Sequence, residues 1–129
     1  SGSNDLVTGP LAGSSAGVYD IDGGVTSVRS PNIILPSSGT ITLSFAYYMA
    51  HLNNSSSSDF LRVQIVGATT TTVFEELGAA NDDDAVWATL NANISSYAGQ
   101  TVYLLISAAD ASGASLVEAA VDDVLITAN

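Results

Sequence analysis

The sequence contains no cysteine and only one histidine in 129 residues. Without cysteine the chain forms neither disulfides nor thiolate metal sites. A catalytic zinc ion takes several histidine or cysteine ligands, so His51 alone cannot hold one. His51 is also the only candidate base for a catalytic serine, and the serines that follow it, Ser55–Ser58, form a low-complexity run. The composition therefore indicates that the chain is not an enzyme.

Positive charge is almost as scarce as histidine. The chain has no lysine and two arginines, Arg29 and Arg62, against thirteen acidic residues, which gives a formal net charge of -11. Proteins bind phosphate backbones through lysine and arginine, and they need basic segments to reach anionic membrane surfaces. No apolar run approaches the ~18 residues of a membrane span. These absences exclude nucleic acid and membranes as partners.

What remains is the composition of a folded domain. Apolar residues make up 47% of the chain and charged residues 12%, which argues against disorder. A length of 129 residues fits one domain with a core of its own. We expect a single domain over residues 1–129, monomeric in isolation, with residues 1–4 disordered or left over from cloning. Because the chain does not begin with methionine, we expect a piece of a longer, secreted extracellular protein.

Short runs of β-branched and aromatic residues alternate with clusters of serine, glycine, asparagine and aspartate, which is typical of strands and turns. Ile41, Leu43 and Phe45 recur at every second position, the period of a strand with one buried face. The predicted strands are Gly17–Asp20, Val25–Ser30, Thr40–Met49, Asp59–Val66, Thr71–Leu77, Ala85–Ala92, Thr101–Ala108 and Leu116–Thr127. Eight strands with no helical period predict an all-β fold, an antiparallel β-sandwich of the jelly-roll type.

Several carboxylates fall within strand-like or turn-like apolar runs, where a charge is costly unless it is compensated. Asp20 and Asp22 point to one face of an extended chain, and glycines follow them. Asp122 and Asp123 are adjacent, so only one of them can reach a given ion. Two arginines cannot neutralise thirteen acids, whereas Ca²⁺ takes six to eight oxygen ligands. We predict a Ca²⁺ ion held by Asp20, Asp22 and either Asp122 or Asp123, with Asp122 favoured. The alternative is that the first two aspartates only form a turn and that the last two lie on an edge strand.

Other acidic residues allow a second ion. Asp59 follows the serine-rich loop, and Glu118 faces the same side of its predicted strand as Asp122. If the loop folds over this strand, Asp59 and Glu118 come together and can bind one Ca²⁺. The alternative is that Asp59 is a solvated strand cap and Glu118 pairs with an arginine. Asp110 is interpreted as a turn residue. Residues Asn81–Asp84 lack the spacing of an EF-hand and are interpreted as a solvated loop.

The aromatic residues suggest where a ligand would bind. Phe45, Phe60, Phe74 and Trp87 all fall in predicted strands, and we expect them in the core. Tyr48 follows another tyrosine, so one of the two faces outward in a regular strand.

The best candidate ligand patch is therefore Tyr48 with three polar residues that follow it, His51, Asn53 and Asn54. An exposed ring beside amide and imidazole groups is suited to stacking on a sugar and hydrogen bonding its hydroxyls. The alternative is an ordinary surface tyrosine packed under a loop.

Three motifs carry a resemblance to a known domain type: Asp-Ile-Asp-Gly-Gly at 20–24, Tyr-Ala-Gly-Gln-Thr at 97–101, and Leu-Val-Glu-Ala-Ala-Val-Asp-Asp-Val at 116–124. Together they resemble the C-terminal accessory jelly-roll domain of secreted bacterial peptidases, a β-sandwich of the MAM-like or cleaved-adhesin-like kind. The resemblance extends from Asp5 to Thr127.

That resemblance implies a non-catalytic, calcium-stabilised module of a secreted bacterial hydrolase, in particular a peptidase. Its expected role is stabilisation or tethering, and its expected partner is the polysaccharide or insoluble protein substrate of the parent enzyme. The alternative function is a carbohydrate-binding module that recognises a polysaccharide through the Tyr48–Asp59 region. Adhesion to protein is a third reading, by analogy of fold alone.

Overall fold

The computed structural model describes residues 4–9 and 20–129, which fold into nine strands and one turn of 3₁₀ helix. The helical turn is Ser95–Tyr97. No helix in the described ranges is long and apolar enough to cross a membrane. The strands are β1 Leu6–Val7, β2 Gly24–Arg29, β3 Ile33–Ile34, β4 Ile41–His51, β5 Phe60–Val66, β6 Thr70–Leu77, β7 Ala88–Asn93, β8 Thr101–Asp110 and β9 Val117–Ala128.

The strands form two antiparallel sheets. The first sheet has the order β1-β9-β4-β7, and the second has the order β2-β8-β5-β6 with the short β3 also beside β8. If β3 is set aside, the eight remaining strands are ordered 1-8-3-6 and 2-7-4-5 along the chain. This is the strand order of a jelly roll, in which each of the last two strands lies inside one sheet between two earlier strands. The predicted all-β jelly-roll sandwich is confirmed.

Seven of the eight predicted strands are present, each ending within three residues of its predicted bounds. The remaining prediction, Gly17–Asp20, lies mostly outside the described residues, and Asp20 itself is in a bend. The prediction for residues 1–4 also lies outside them, apart from the exposed Asn4. The largest difference within the described ranges is at β7, which begins at Ala88 rather than Ala85.

The core lies between the two sheets and follows the alternation of the strands. On β5 the buried positions are Leu61, Val63 and Ile65, and the intervening side chains face outward. Phe60 was expected in the core, and that prediction is wrong. Its ring lies on the outer face of the second sheet, where the Arg62 guanidinium stacks on it 4.0 Å from the ring centre. A cation stacked on a ring at the surface keeps both groups partly hydrated.

Candidate functional site

Tyr48 and Trp87 form an aromatic pair on the outer face of the first sheet. Tyr47 lies opposite Ala88, the first residue of β7, so Trp87, which comes just before β7, lies opposite Tyr48. The two rings meet edge to face with centres 4.9 Å apart. Tyr48 is only 7% exposed, whereas Trp87 is 47% exposed. The prediction that Trp87 belongs to the core is wrong, because its position in the register turns it away from the second sheet.

A cavity of about 230 Å³ lies at the same end of this sheet. Ala50 is two residues beyond Tyr48 on β4 and faces the same way, and it lies opposite Glu118 on β9. We call this space the Trp87 cavity after the ring beside it, although Trp87 does not line it. The residues that line it are Ala50, His51, Leu52, Asp83, Asp84, Ala85, Leu116 and Glu118.

The acidic loop Asn81–Asp84 forms one wall of this cavity. His51 and Asp83 exchange two backbone hydrogen bonds, with N–O distances of 3.1 and 2.8 Å. The amide of Asn53 donates to Asp82 Oδ1 at 2.9 Å. The loop is exposed, as predicted, but it is also tied to the end of β4 at these points. The backbone of the loop is therefore held near the cavity.

The electrostatic field around the Trp87 cavity is negative. Burial raises the pKa of the Tyr48 hydroxyl, and the nearby carboxylates of Glu118 and Asp5 raise it further. Burial also raises the pKa of Glu76. The charge of Asp83 raises this pKa further, and His51 lowers it in part. Both groups resist a negative charge because other negative charges are close and water is partly excluded. A cationic ligand would find this field favourable.

The predicted ligand patch is brought together only in part. His51 lines the cavity and Tyr48 lies beside it under Trp87. Asn53 and Asn54 are exposed on the following loop, and the side-chain amide of Asn54 donates to the Ala114 carbonyl at 3.4 Å. The structure thus adds Trp87 to the candidate site and places the two asparagines at its edge.

The predicted calcium ligands do not converge within the described part of the chain. Asp20 and Asp22 flank Ile21, whose amide donates to the Val117 carbonyl at 3.1 Å. Asp122 is five residues farther along β9, which is roughly 16 Å from that point. Residues 4–9 and 20–129 contain no group of three or more histidine, aspartate or glutamate side chains that could hold a metal ion. Calcium at these residues stays a prediction.

The two carboxylates in the middle of β9, Asp122 and Asp123, lie in an irregular segment. The β4–β9 pairing shifts register opposite Ser44–Ala46, and Asp123 adopts a left-handed backbone with φ of 52°. Asp122 Oδ1 accepts a hydrogen bond from the Asp123 amide at 2.7 Å. A residue inserted into one strand of a pair has this local effect, turning neighbouring side chains to new directions.

Asp59 and Glu118, the predicted ligands of a second ion, lie in different parts of the fold. Glu118 is 4% exposed on the outer face of the first sheet, whereas Asp59 is 1% exposed at the start of β5. The alternative of a solvated cap for Asp59 is therefore wrong. Its Oδ2 accepts hydrogen bonds from Ser55 Oγ at 2.7 Å and the Ser56 amide at 2.8 Å, and its Oδ1 accepts one from the Ala111 amide at 2.9 Å.

A second fully buried carboxylate, Asp110, lies beside Asp59. It is 0% exposed and is the last residue of β8, so its interpretation as a turn residue is wrong. Asp110 Oδ1 accepts from Ser115 Oγ at 2.7 Å, and its Oδ2 accepts from the Gly23 amide at 3.1 Å. Ser115 Oγ also lies 3.2 Å from Asp59 Oδ2, which makes it the link between the two acids. We call Asp59, Asp110, Ser55 and Ser115 the buried acid cluster.

Gly78 is packed against this cluster so tightly that it has no room for a side chain. A Cβ at this position would overlap Ser55 Oγ and lie 2.6 Å from the Ser56 carbonyl oxygen. We expect Gly78→Ala to lower the free energy of unfolding by about 2–3 kcal/mol, because overpacking at a hydrogen-bonded site forces the loop away. Chemical denaturation would measure this. The control is Ala79→Ser, which adds one atom to the neighbouring residue, whose side chain is exposed, and should change stability by less than about 0.5 kcal/mol. Equal losses in the two variants would contradict the steric explanation.

Comparisons with known proteins find similarity only at the level of structure. No protein-family model and no curated protein matches the sequence. Among solved structures 19 chains match. One is described as "EclA C-terminal domain; sugar-binding protein"; it shares 10% sequence identity and a TM-score of 0.41, over 93% of this chain and 88% of that one. A likeness this distant does not bear on what the present chain binds.

Proposed function

We propose that this domain is a non-catalytic carbohydrate-binding module that uses Trp87 as its stacking platform. The observation that carries the proposal is the half-exposed indole ring held against a buried tyrosine beside a cavity. A half-exposed indole ring offers an apolar surface to a ligand, and the apolar C–H face of a pyranose is a suitable partner for it.

The geometry favours a rigid platform. Tyr48 and Trp87 are in edge-to-face contact, and Tyr48 itself packs with Ala50 and Ala120 in a small cluster separate from the main core. A side chain already fixed in its binding conformation loses little entropy when the ligand arrives. The polar groups of the Trp87 cavity then provide directional hydrogen bonds to hydroxyl groups, which is the usual division between apolar and polar contacts in a ligand site.

From the family resemblance we propose further that the module belongs to a secreted hydrolase and tethers it to a polymer. Binding at one end of the sandwich would hold a connected catalytic domain near insoluble material and raise the local concentration of substrate. A polysaccharide is the partner favoured by Trp87 and the cavity, whereas no contact of the described residues singles out an insoluble protein. A calcium ion, if present, would stabilise the fold and take no part in recognition.

The test is retention on polysaccharides by affinity electrophoresis, with Kd measured by calorimetry. Trp87→Ala should weaken glycan binding at least tenfold, about 1.4 kcal/mol, because the stacking surface is removed. The control is Val86→Ala, which removes a neighbouring apolar side chain that is more exposed than Trp87. Thermal unfolding of both variants shows that the fold is intact. Equal binding by both variants, or no binding of any glycan by the wild-type chain, would overturn the proposal.

A further inference from the structure

We infer that the glycan bound beside Trp87 is cationic, a polymer of amino sugars whose amino groups are free and protonated. This inference names the ligand class of the site and rests on the proposed function. Its basis is the combination of an exposed aromatic ring with a cavity whose charged side chains are all acidic.

The lining of the Trp87 cavity has one sign of charge. Asp83, Asp84 and Glu118 contribute carboxylates, and neither lysine nor arginine lines the cavity. The two arginines of the chain are on the second sheet, Arg29 in β2 and Arg62 in β5. Arg29 stacks on a tyrosine ring and Arg62 on a phenylalanine ring. Among the residues that line the cavity, His51 is the one side chain that can carry a positive charge, against three carboxylates.

A ligand that enters the cavity must displace water from these carboxylates. Neutral sugar hydroxyls restore only part of the lost solvation, whereas an ammonium group forms charge-assisted hydrogen bonds that are about twice as strong. Burial is the main cause of the raised pKa values of Tyr48 and Glu76, and the field of nearby carboxylates adds to it, from Glu118 on Tyr48 and from Asp83 on Glu76. The same field attracts a positive ligand.

The aromatic ring contributes in the same direction. The face of an indole ring attracts cations, by about 0.5–2 kcal/mol depending on how far the cation is desolvated. An amino sugar carries its ammonium group on a rigid ring with an apolar face, so one residue can address both Trp87 and a carboxylate. A lysine-rich peptide offers the charge on a flexible stem and would lose more conformational entropy for the same contacts.

A metal ion fits this cavity less well than an amino sugar. The acidic side chains line the space without gathering about a point, since no group of three metal-ligating side chains occurs in the described ranges. Ca²⁺ needs six to eight oxygens around one centre. Carboxylates spread along a cavity suit positive charges that are spread along a polymer.

The test is calorimetry on the full chain with glucosamine oligomers and N-acetylglucosamine oligomers of equal length, at a pH where the free amines are protonated. We expect the glucosamine oligomer to bind roughly tenfold more tightly or better, and added salt to reduce that preference. Asp83→Asn with Asp84→Asn should remove the preference. The matched control, Asp122→Asn with Asp123→Asn, removes the same charge from the irregular segment of β9, which does not line the cavity, and should keep it.

The outcomes separate the two proposals. Equal, Trp87-dependent binding of both oligomers would overturn the cationic class and leave carbohydrate binding intact, whereas binding of neither oligomer nor any other glycan would overturn both. Polylysine that binds as tightly as the glucosamine oligomer, with no loss in Trp87→Ala, would show unspecific charge attraction and overturn the inference. Displacement of the oligomer by stoichiometric Ca²⁺ at matched ionic strength would overturn it in favour of an ion site.

Discussion

Replacing Asp59 by alanine should lower the free energy of unfolding by about 3–4 kcal/mol. The substitution leaves three donors without their acceptor: the buried Ser55 hydroxyl and the partly buried amides of Ser56 and Ala111. A buried donor that loses its partner costs about 1–3 kcal/mol, more when the partner is charged, and the three losses are not fully additive. Because these donors come from two separate loops, both loops should loosen together.

The same carboxylate predicts how stability depends on pH. Burial alone would raise the pKa of Asp59, but its hydrogen bonds with Ser55, Ser56, Ala111 and Ser115 outweigh burial and hold the pKa below its ordinary value. A lowered pKa stabilises the fold fully above the pKa of an unfolded aspartate, about 3.9. That contribution disappears as the pH falls through the lower pKa of folded Asp59. Stability of the wild-type domain should therefore fall more steeply than that of Asp59→Asn below about pH 4.

Urea unfolding at neutral pH measures the effect of Asp59→Ala, with Asp84→Ala as the control. Asp84 is exposed, so its removal should change stability by less than about 0.5 kcal/mol. A loss of less than about 1 kcal/mol for Asp59→Ala would mean that water replaces the carboxylate without difficulty. The buried acid cluster would then not be the element that joins these loops.

Phe45→Ala is expected to destabilise the domain by about 4 kcal/mol, the other large effect. Phe45 is fully buried in the centre of the core and meets two other rings edge to face, Tyr47 at 6.1 Å and Phe74 at 5.8 Å between ring centres. Its removal leaves a cavity that two stiff β-sheets cannot close. The aromatic contacts are lost in addition to the buried area.

Thermal and chemical unfolding of Phe45→Ala and Phe60→Ala give the comparison. Both variants lose the same atoms, but Phe60 lies on the outer face of the second sheet, so its loss should cost less than half as much. Comparable losses would show that the outer face of the second sheet carries as much packing energy as the core. That result would contradict the two-layer description of the fold.

The fold followed from the sequence because strand periodicity is a local property. The alternation of Ile41, Leu43 and Phe45 with small or polar residues fixes which face is buried without knowledge of the neighbours. Strand boundaries were less accurate where aromatic residues precede a strand. Trp87 lies next to β7 but outside it, and its apolar character suggested burial.

A stricter use of strand parity would have placed Trp87 correctly. Leu90 packs against the core and lies opposite the buried Phe45, so it faces inward. Trp87 is three positions before Leu90, an odd separation, and an odd separation puts two side chains on opposite faces. The outward direction of Trp87 was therefore contained in the sequence once Leu90 was assigned to the core.

The buried acid cluster could not be found in the same way. Asp59 and Ser115 are 56 residues apart, and Asp110 meets Gly23 across 87 residues. Such contacts depend on how loops converge at one end of the sandwich, for which sequence spacing carries no signal. The Asp-Ile-Asp-Gly-Gly motif shows the difference: its carboxylates suggested metal binding, while the described contact of Gly23 is an amide donated to Asp110.

The order of the strands also constrains how the domain can form during synthesis. β9 separates β1 from β4 in the first sheet, and β8 separates β2 from β5 in the second. Until residues 101–128 have left the ribosome, each sheet lacks a central strand and the earlier apolar strands have few partners. Pairings as distant as Leu6 with Val121 give a high contact order, which is associated with slow folding. Completion of both sheets is therefore expected to wait for the last two strands of the domain.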